Sequence, residues 1–188
     1  MVNVAVLFAE GFEEIEGITT VDILRRAGIS TTIIGVEENE ITGAHQVTIK
    51  SDKPIDKLNI SEIDCLVLPG GAPGFENLKN NDLVLSAIKD ADQKKKIVAA
   101  ICASPSVLSH AGILNQRRST IYPGMEVEIR KCGGIYVDDI VVIDDHIITS
   151  KGPATTIPFA LKIVETLIDE QTRKEIEKKL LFNEISKN

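Results

Sequence analysis

Val98-Ala99-Ala100-Ile101-Cys102-Ala103-Ser104-Pro105 changes character at its midpoint. The run from Ile97 to Ile101 is apolar without alternation, the signature of a strand buried on both faces. Proline three residues past the cysteine suits the first turn of a helix, where its missing N–H costs little. The spacing predicts that helix over 103–111, closed by Gly112. A strand feeding a helix with no linker makes a sharp elbow that lifts the residue at the bend, Cys102, above the sheet. The helix N-terminus sets partial positive charge and free N–H groups beside the sulfur, which favours thiolate. A small core residue at a strand end is the competing reading, because free cysteines are among the most buried residues. That plain reading suits Cys65, inside Asp64-Cys65-Leu66-Val67-Leu68. Cys132, beside Gly133-Gly134, reads as a loop or helix-end thiol without a catalytic role.

The alternation of strand and helix extends outward from this elbow. Strands are predicted over 2–8, 31–35, 65–68 and 97–101, then over 135–138, 140–143 and 146–149, the last two around an Asp144-Asp145 turn. Helices are predicted over 13–27, with Gly28 as the stop, and over 82–94 and 103–111. A short helix follows Tyr122-Pro123-Gly124, and two more cover 153–168 and 170–181. Residues 37–52 read as a small β excursion through Ile41-Thr42-Gly43 and 46–50. Apolar strands between helices predict a doubly wound, flavodoxin-like α/β sandwich, with a mostly parallel sheet and helices on both faces. With no repeat or linker, residues 1–188 are expected to form one domain. In such sheets the ligand site lies beyond the carboxyl ends of the strands, here the loops after Phe8, Leu68 and Ile101.

Two of those loops carry chemistry. Leu68-Pro69-Gly70-Gly71-Ala72-Pro73-Gly74 lets backbone amides approach a bound oxygen closely, and if its strand neighbours the Cys102 strand, the amides of Gly71 and Ala103 form an oxyanion hole. It is no phosphate loop, since neither GK[ST] nor GxGxxG is present. Ala9-Glu10-Gly11-Phe12-Glu13-Glu14-Ile15-Glu16 brings acids into a helix N-terminus, where Glu13 and Glu14 are expected simply as dipole partners. Glu16 has two readings: a further dipole partner, or a carboxyl carried toward the strand ends. Desolvation there would raise its pKa and let it hydrogen-bond a thiolate and exchange a proton with substrate.

Composition excludes several classes. With 21 Lys+Arg against 28 Asp+Glu, the net charge of −7 argues against nucleic-acid and anionic-membrane binding. Basic runs such as Lys94-Lys95-Lys96 read as solvated helix ends. Three scattered cysteines and three histidines, without a CxxC, offer neither a disulfide framework nor a zinc site, and no metal is expected. A reducing cytoplasm is the expected location. The apolar start lacks a basic leader, so no signal peptide is expected. Residues 97–114 carry no formal charge, but Pro105, His110 and Gly112 favour a buried strand and helix over a membrane span.

Taken together, these segments resemble the ThiJ/PfpI superfamily, in particular its DJ-one, Parkinsonism-associated deglycase branch. The resemblance rests on Gly11-Phe12-Glu13-Glu14-Ile15-Glu16, Val21-Asp22-Ile23-Leu24-Arg25-Arg26-Ala27-Gly28, Leu66-Val67-Leu68-Pro69-Gly70-Gly71, Ala99-Ala100-Ile101-Cys102-Ala103 and Thr149-Ser150-Lys151-Gly152-Pro153, in that order. It implies a flavodoxin-like homodimer in which Cys102 is the reactive cysteine, Glu16 its partner carboxyl, and Gly71 and Ala103 the backbone amides. It also implies Tyr122, Ala72, His45 and Arg26 as substrate-binding or rim positions, Arg26 standing near the partner's site. The chain departs from the family pattern at Tyr122, where many relatives place histidine, and at Ser104, where glycine is common. Tyrosine is no general base near neutral pH, which weakens a peptidase or amidase reading. The resemblance implies a cofactor-free glyoxalase or deglycase acting on small reactive carbonyls or their adducts. The alternative is a redox-sensing or chaperone-like dimer, responding to oxidative stress through a Cys102 sulfinate.

Overall fold

The computed structural model describes residues 2–185. The amino-terminal part runs β1 (Asn3–Phe8), α1 (Glu14–Arg26), β2 (Ser30–Gly35), β3 (Glu40–Thr42), β4 (Thr48–Lys50) and β5 (Lys53–Pro54). The centre follows with β6 (Cys65–Leu68), α2 (Gly74–Lys79), α3 (Asp82–Gln93), β7 (Ile97–Ile101) and α4 (Pro105–His110). The remainder is β8 (Arg118–Ser119), α5 (Glu126–Lys131), β9 (Ile135–Tyr136), β10 (Val141–Asp144), β11 (Ile147–Ser150), α6 (Thr156–Leu167), α7 (Glu170–Lys179) and α8 (Phe182–Ile185).

Seven strands form one sheet in the order β10-β11-β7-β6-β1-β2-β5, parallel throughout except for the β10–β11 hairpin. β6 and β7 are apolar at every position, and β1 from Val4 on, because both faces are covered. Ala5, Leu7, Leu66, Leu68, Val98 and Ala100 pack toward α3 and α4, among Val84, Ile88 and Val107. Their alternates Val4, Val6, Phe8, Val67, Ala99 and Ile101 pack toward α1 and α6, among Leu24, Phe159 and Ile163. This is the expected doubly wound, flavodoxin-like α/β sandwich. The strand order reverses between β1 and β6, so the crevice at a topological switch point lies between the loops after Phe8 and Leu68.

The differences from expectation are local. Residues 135–138 do not join the main sheet: Ile135–Tyr136 pairs in parallel with Arg118–Ser119 in a separate two-stranded element, and Ile135 is exposed. Helix α2 was missed because Gly74-Phe75-Glu76-Asn77 reads as a continued turn, although Leu78 is buried. The final long helix opens with a 3-10 turn over Pro153–Thr155 before α6 begins. The uncharged 97–114 stretch resolves into β7 and α4, and among the described residues no helix is long and apolar enough to cross a membrane.

Candidate active site

Cys102 occupies the bend after β7 with φ +64°, a left-handed conformation costly for a residue with a Cβ. Three hydrogen bonds hold it there. The Cys102 N–H donates to Ser150 O at 3.0 Å, and Tyr122 N–H donates to Cys102 O at 2.9 Å. The buried Ser104 hydroxyl donates to Pro69 O at 2.5 Å, tying the elbow to the glycine loop of the neighbouring strand. Sequence reasoning treated Ser104 only as a departure from a pattern; its hydroxyl is the brace between the two loops. Nothing in the sequence marks that contact, because its acceptor is a backbone oxygen 35 residues away.

The glycine loop and the start of α1 interlock. Glu13 N–H donates to Gly70 O at 2.9 Å, and Gly74 N–H to Gly11 O at 3.1 Å. A Cβ on Gly71, whose φ is +96°, would lie 2.2 Å from Glu13 N, so only glycine fits. This interlock carries Glu16 inward until it is fully buried, with Oε2 accepting from Gly70 N–H at 2.7 Å. At Gly70 the groups converge: a Cβ there would stand 2.7 Å from Cys102 Cβ, 2.8 Å from Glu16 Oε2 and 3.2 Å from Cys102 Sγ. Glu16 Oε1 is buried with no hydrogen-bond partner among the described residues.

Burial raises the Glu16 carboxyl to about 7, against the Gly70 and Cys102 hydrogen bonds that lower it. Burial also pushes the Cys102 thiol up, as do the charge and hydrogen bond of ionised Glu16, while the amides of Ala103 and Gly71 draw it down. This corrects the expectation of an acidic thiol. The helix N-terminus and the two amides act as foreseen, but desolvation and a like charge outweigh them whenever Glu16 is ionised. When Glu16 carries its proton the like charge disappears, and the sulfur faces a neutral carboxyl and two donors. Cys65, fully buried, is pushed up chiefly by desolvation, in keeping with the plain reading given to it.

The rim residues divide. Tyr122 lies at the mouth, 47% exposed, its ring beside Gly152. Ala72 is exposed in the glycine loop. His45 stands over the start of α1, bound to Glu14 rather than turned toward Cys102: Glu14 Oε1 accepts from His45 N–H at 2.7 Å and Oε2 lies 2.9 Å from His45 Nδ1. Glu14 is thus a buried clamp on the β3–β4 turn, beyond the dipole role expected of it. Arg26 pairs with Asp22 at 2.6 Å, about 15 Å along α1 from Glu16, so it does not join the site of its own protomer. Glu13, Glu14 and His45 are the group among the described residues with metal-ligand spacing, their ligand atoms within 4.8 Å. Both Glu14 oxygens are already engaged by the turn, and none of the chemistry below passes through that cluster.

Residues 2–166 match the DJ-1/PfpI family. The chain belongs to that family. DJ-1/PfpI relatives include a deglycase of Pyrococcus horikoshii, 36% identical over 166 residues that cover 88% of this chain and 99% of the relative. A glutathione-independent glyoxalase of Caenorhabditis elegans is 37% identical over 158 residues, 84% of each chain. Among solved structures, the oxidized form of Toxoplasma gondii DJ-1 superimposes with a TM-score of 0.91 at 34% identity, covering 96% of this chain and 98% of that one. The DJ-1/PfpI assignment agrees with the strand order and with the elbow cysteine described above.

Proposed function

We propose that the protein is a cofactor-free glyoxalase or deglycase that acts on small reactive carbonyls, such as methylglyoxal and glyoxal, or on their adducts. The observation that carries this reading is the convergence of a buried carboxyl, an elbow thiol and two amide donors at Gly70. Carboxylate Glu16 takes the thiol proton as the Cys102 sulfur adds to the aldehyde carbon, and the carbonyl electron pair moves to oxygen, where the Gly71 and Ala103 amides hold it. Glu16 protonates that oxygen to give a hemithioacetal. As carboxylate it takes the proton from the same carbon to give an enediolate; the hydroxyl proton passes from the first carbon's oxygen to the second's, and Glu16 returns its proton to the adjacent carbon, leaving a 2-hydroxyacyl thioester that water hydrolyses to the hydroxy acid and free thiol. One carbon is oxidised as its neighbour is reduced, so no external oxidant enters. A carboxyl raised to about 7 supplies both proton states near neutral pH. The names of the two relatives support the same chemistry.

The second reading, a redox sensor, is favoured by Glu16 Oε1, unpartnered among the described residues, which when protonated would join the two amides as a donor to the oxygens of a Cys102 sulfinate. Hydroxy-acid formation from methylglyoxal without glutathione separates them. Turnover that Cys102→Ser abolishes supports the enzyme; no turnover by the unmodified protein, or an active Cys102→Ser, overturns it.

The reading extends to assembly and location. Ile15, Ile18 and Val47 are exposed on α1 and the adjoining β3–β4 turn, an apolar face suited to an isologous homodimer that sets Arg26 near the partner's site. Three free cysteines suit a reducing cytoplasm. A monomer mass by light scattering at micromolar protein would overturn the dimer.

A further inference from the structure

Gly152 lies two residues past the end of β11, with an extended backbone (φ 165°) that any residue adopts, so local conformation does not call for glycine. Space does. A Cβ at Gly152 would lie 3.3 Å from Cδ2 and 3.6 Å from Cε2 of the Tyr122 ring, and 4.0 Å from Cys102 Sγ. The absent side chain is therefore a gap with an aromatic ring on one side and the sulfur on the other.

Both walls are held. Gly152 N–H donates to Thr155 Oγ1 at 3.0 Å and Thr155 N–H returns to Gly152 O at 2.8 Å, while Ser150 Oγ lies 2.7 Å from the same threonine hydroxyl. On the other side, the Tyr122 backbone is bonded to Cys102 O. The ring is half exposed, and its hydroxyl has no hydrogen-bond partner among the described residues. The backbones on either side of the gap are thus fixed relative to the Cys102 sulfur, and the ring is carried on one of them.

We propose that Gly152 and the Tyr122 ring form a filter that sets which carbonyl compounds reach Cys102. A flat or unbranched substituent slides between sulfur and ring; a branched one meets the ring. The class admitted is 2-oxoaldehydes bearing methyl or planar aryl groups, with aryl groups gaining about three- to tenfold from offset stacking on Tyr122. This rests on the glyoxalase or deglycase reading for its substrates, but the filter itself is a property of access to the thiol.

The test therefore uses two readouts. In turnover, the ratio of kcat/KM for phenylglyoxal over methylglyoxal is measured in the unmodified protein, Gly152→Ala and Tyr122→Ala. It should fall at least tenfold in Gly152→Ala and about three- to tenfold in Tyr122→Ala. In alkylation, the rates of N-phenylmaleimide and N-tert-butylmaleimide at Cys102, located by peptide mass spectrometry, are each divided by the iodoacetamide rate. The phenyl preference over tert-butyl should be clear in the unmodified protein and lost in Gly152→Ala. Ratios unchanged in both variants, or all reagents slowed alike, overturn the filter. Altered maleimide ratios in a protein without turnover uphold the filter and overturn the enzymatic reading instead.

Discussion

At the amino ends of β7 and β11, Asp92 meets the Arg117 guanidinium and stands 2.8 Å from His146 Nε2, while Asp145 lies 2.8 Å from His146 Nδ1 and 3.0 Å from Lys95. At the carboxyl ends of the sheet, Glu16 faces a thiol and feels the like charge of Glu13. Both ends bury ionisable groups, with opposite results. Burial alone would raise Asp92, but the Arg117 and His146 hydrogen bonds and charges hold it below the usual carboxylate range. Glu16 has no cation to do the same, and burial leaves it near 7. Where every charge has a partner of opposite sign, the cluster is a structural pin. Where a carboxyl is desolvated beside a thiol and one oxygen has no partner among the described residues, the fold bears a cost that the proposed proton transfer accounts for.

The sharpest way to break this comparison is Glu16→Gln. The amide still accepts from Gly70 N–H and turns its NH2 toward sulfur, and it removes the like charge that pushes the thiol up. Iodoacetamide labelling of Cys102 at pH 7–8 should therefore hold or quicken. Methylglyoxal turnover should fall 10²- to 10⁴-fold, about 3–5 kcal/mol of barrier, because the proton shuttle is gone. Near-native turnover in this variant would reject the shuttle and leave Glu16 as a tuner of the thiol.

The two ends should also respond to pH with opposite signs. Glu16 is raised in the folded chain, so the native state binds the extra proton between about pH 4.5 and 7. Its contribution is fully present below the unfolded value and is lost as pH rises through about 7, up to about 3 kcal/mol. Asp92 is depressed, so its contribution is present above the unfolded value and lost as pH falls through the folded one. Urea unfolding between pH 5 and 8 should show the Glu16 slope, and Glu16→Gln should flatten it. A slope identical in both proteins would remove Glu16 from the site's electrostatics.

Much of this was legible in the sequence, for a reason specific to parallel sheets. Strands buried on both faces, such as Cys65–Leu68 and Ile97–Ile101, read as unbroken apolar runs, and the elbow is marked by a cysteine with proline three residues on. The parts that stayed hidden depend on distant backbone. The Ser104 hydroxyl, the Glu14 clamp and the Gly152 gap act on Pro69 O, the 43–47 turn and the Tyr122 ring, which chain order does not bring together. The acidity of Cys102 was misjudged because a helix N-terminus is visible in sequence and the depth of burial is not.

At the paired end, His146→Ala removes a buried ring held by two carboxylates. It should cost about 1–3 kcal/mol, with Asp92 keeping Arg117. The same variant should leave the rate of Cys102 labelling at pH 7 within twofold, since the pin lies at the opposite end of the strands. A large change in labelling would show the two ends to be coupled through β7 and β11, and the division between pin and site would fail.

The smallest effect belongs to Tyr122→Phe. The hydroxyl stands at the mouth on a half-exposed ring, and it has no protein partner to lose among the described residues. A hydrogen bond from it to substrate is worth about 0.5–1.5 kcal/mol. Methylglyoxal kcat/KM should drop no more than about tenfold, with the loss in KM rather than kcat if the bond forms equally in ground and transition states. The ring remains, so the wall opposite Gly152 remains with it. A loss as large as that of Glu16→Gln would make the Tyr122 hydroxyl a proton donor in its own right, and the chemistry would then rest on four groups around Cys102, the carboxyl, two amides and the phenol, rather than on the first three alone.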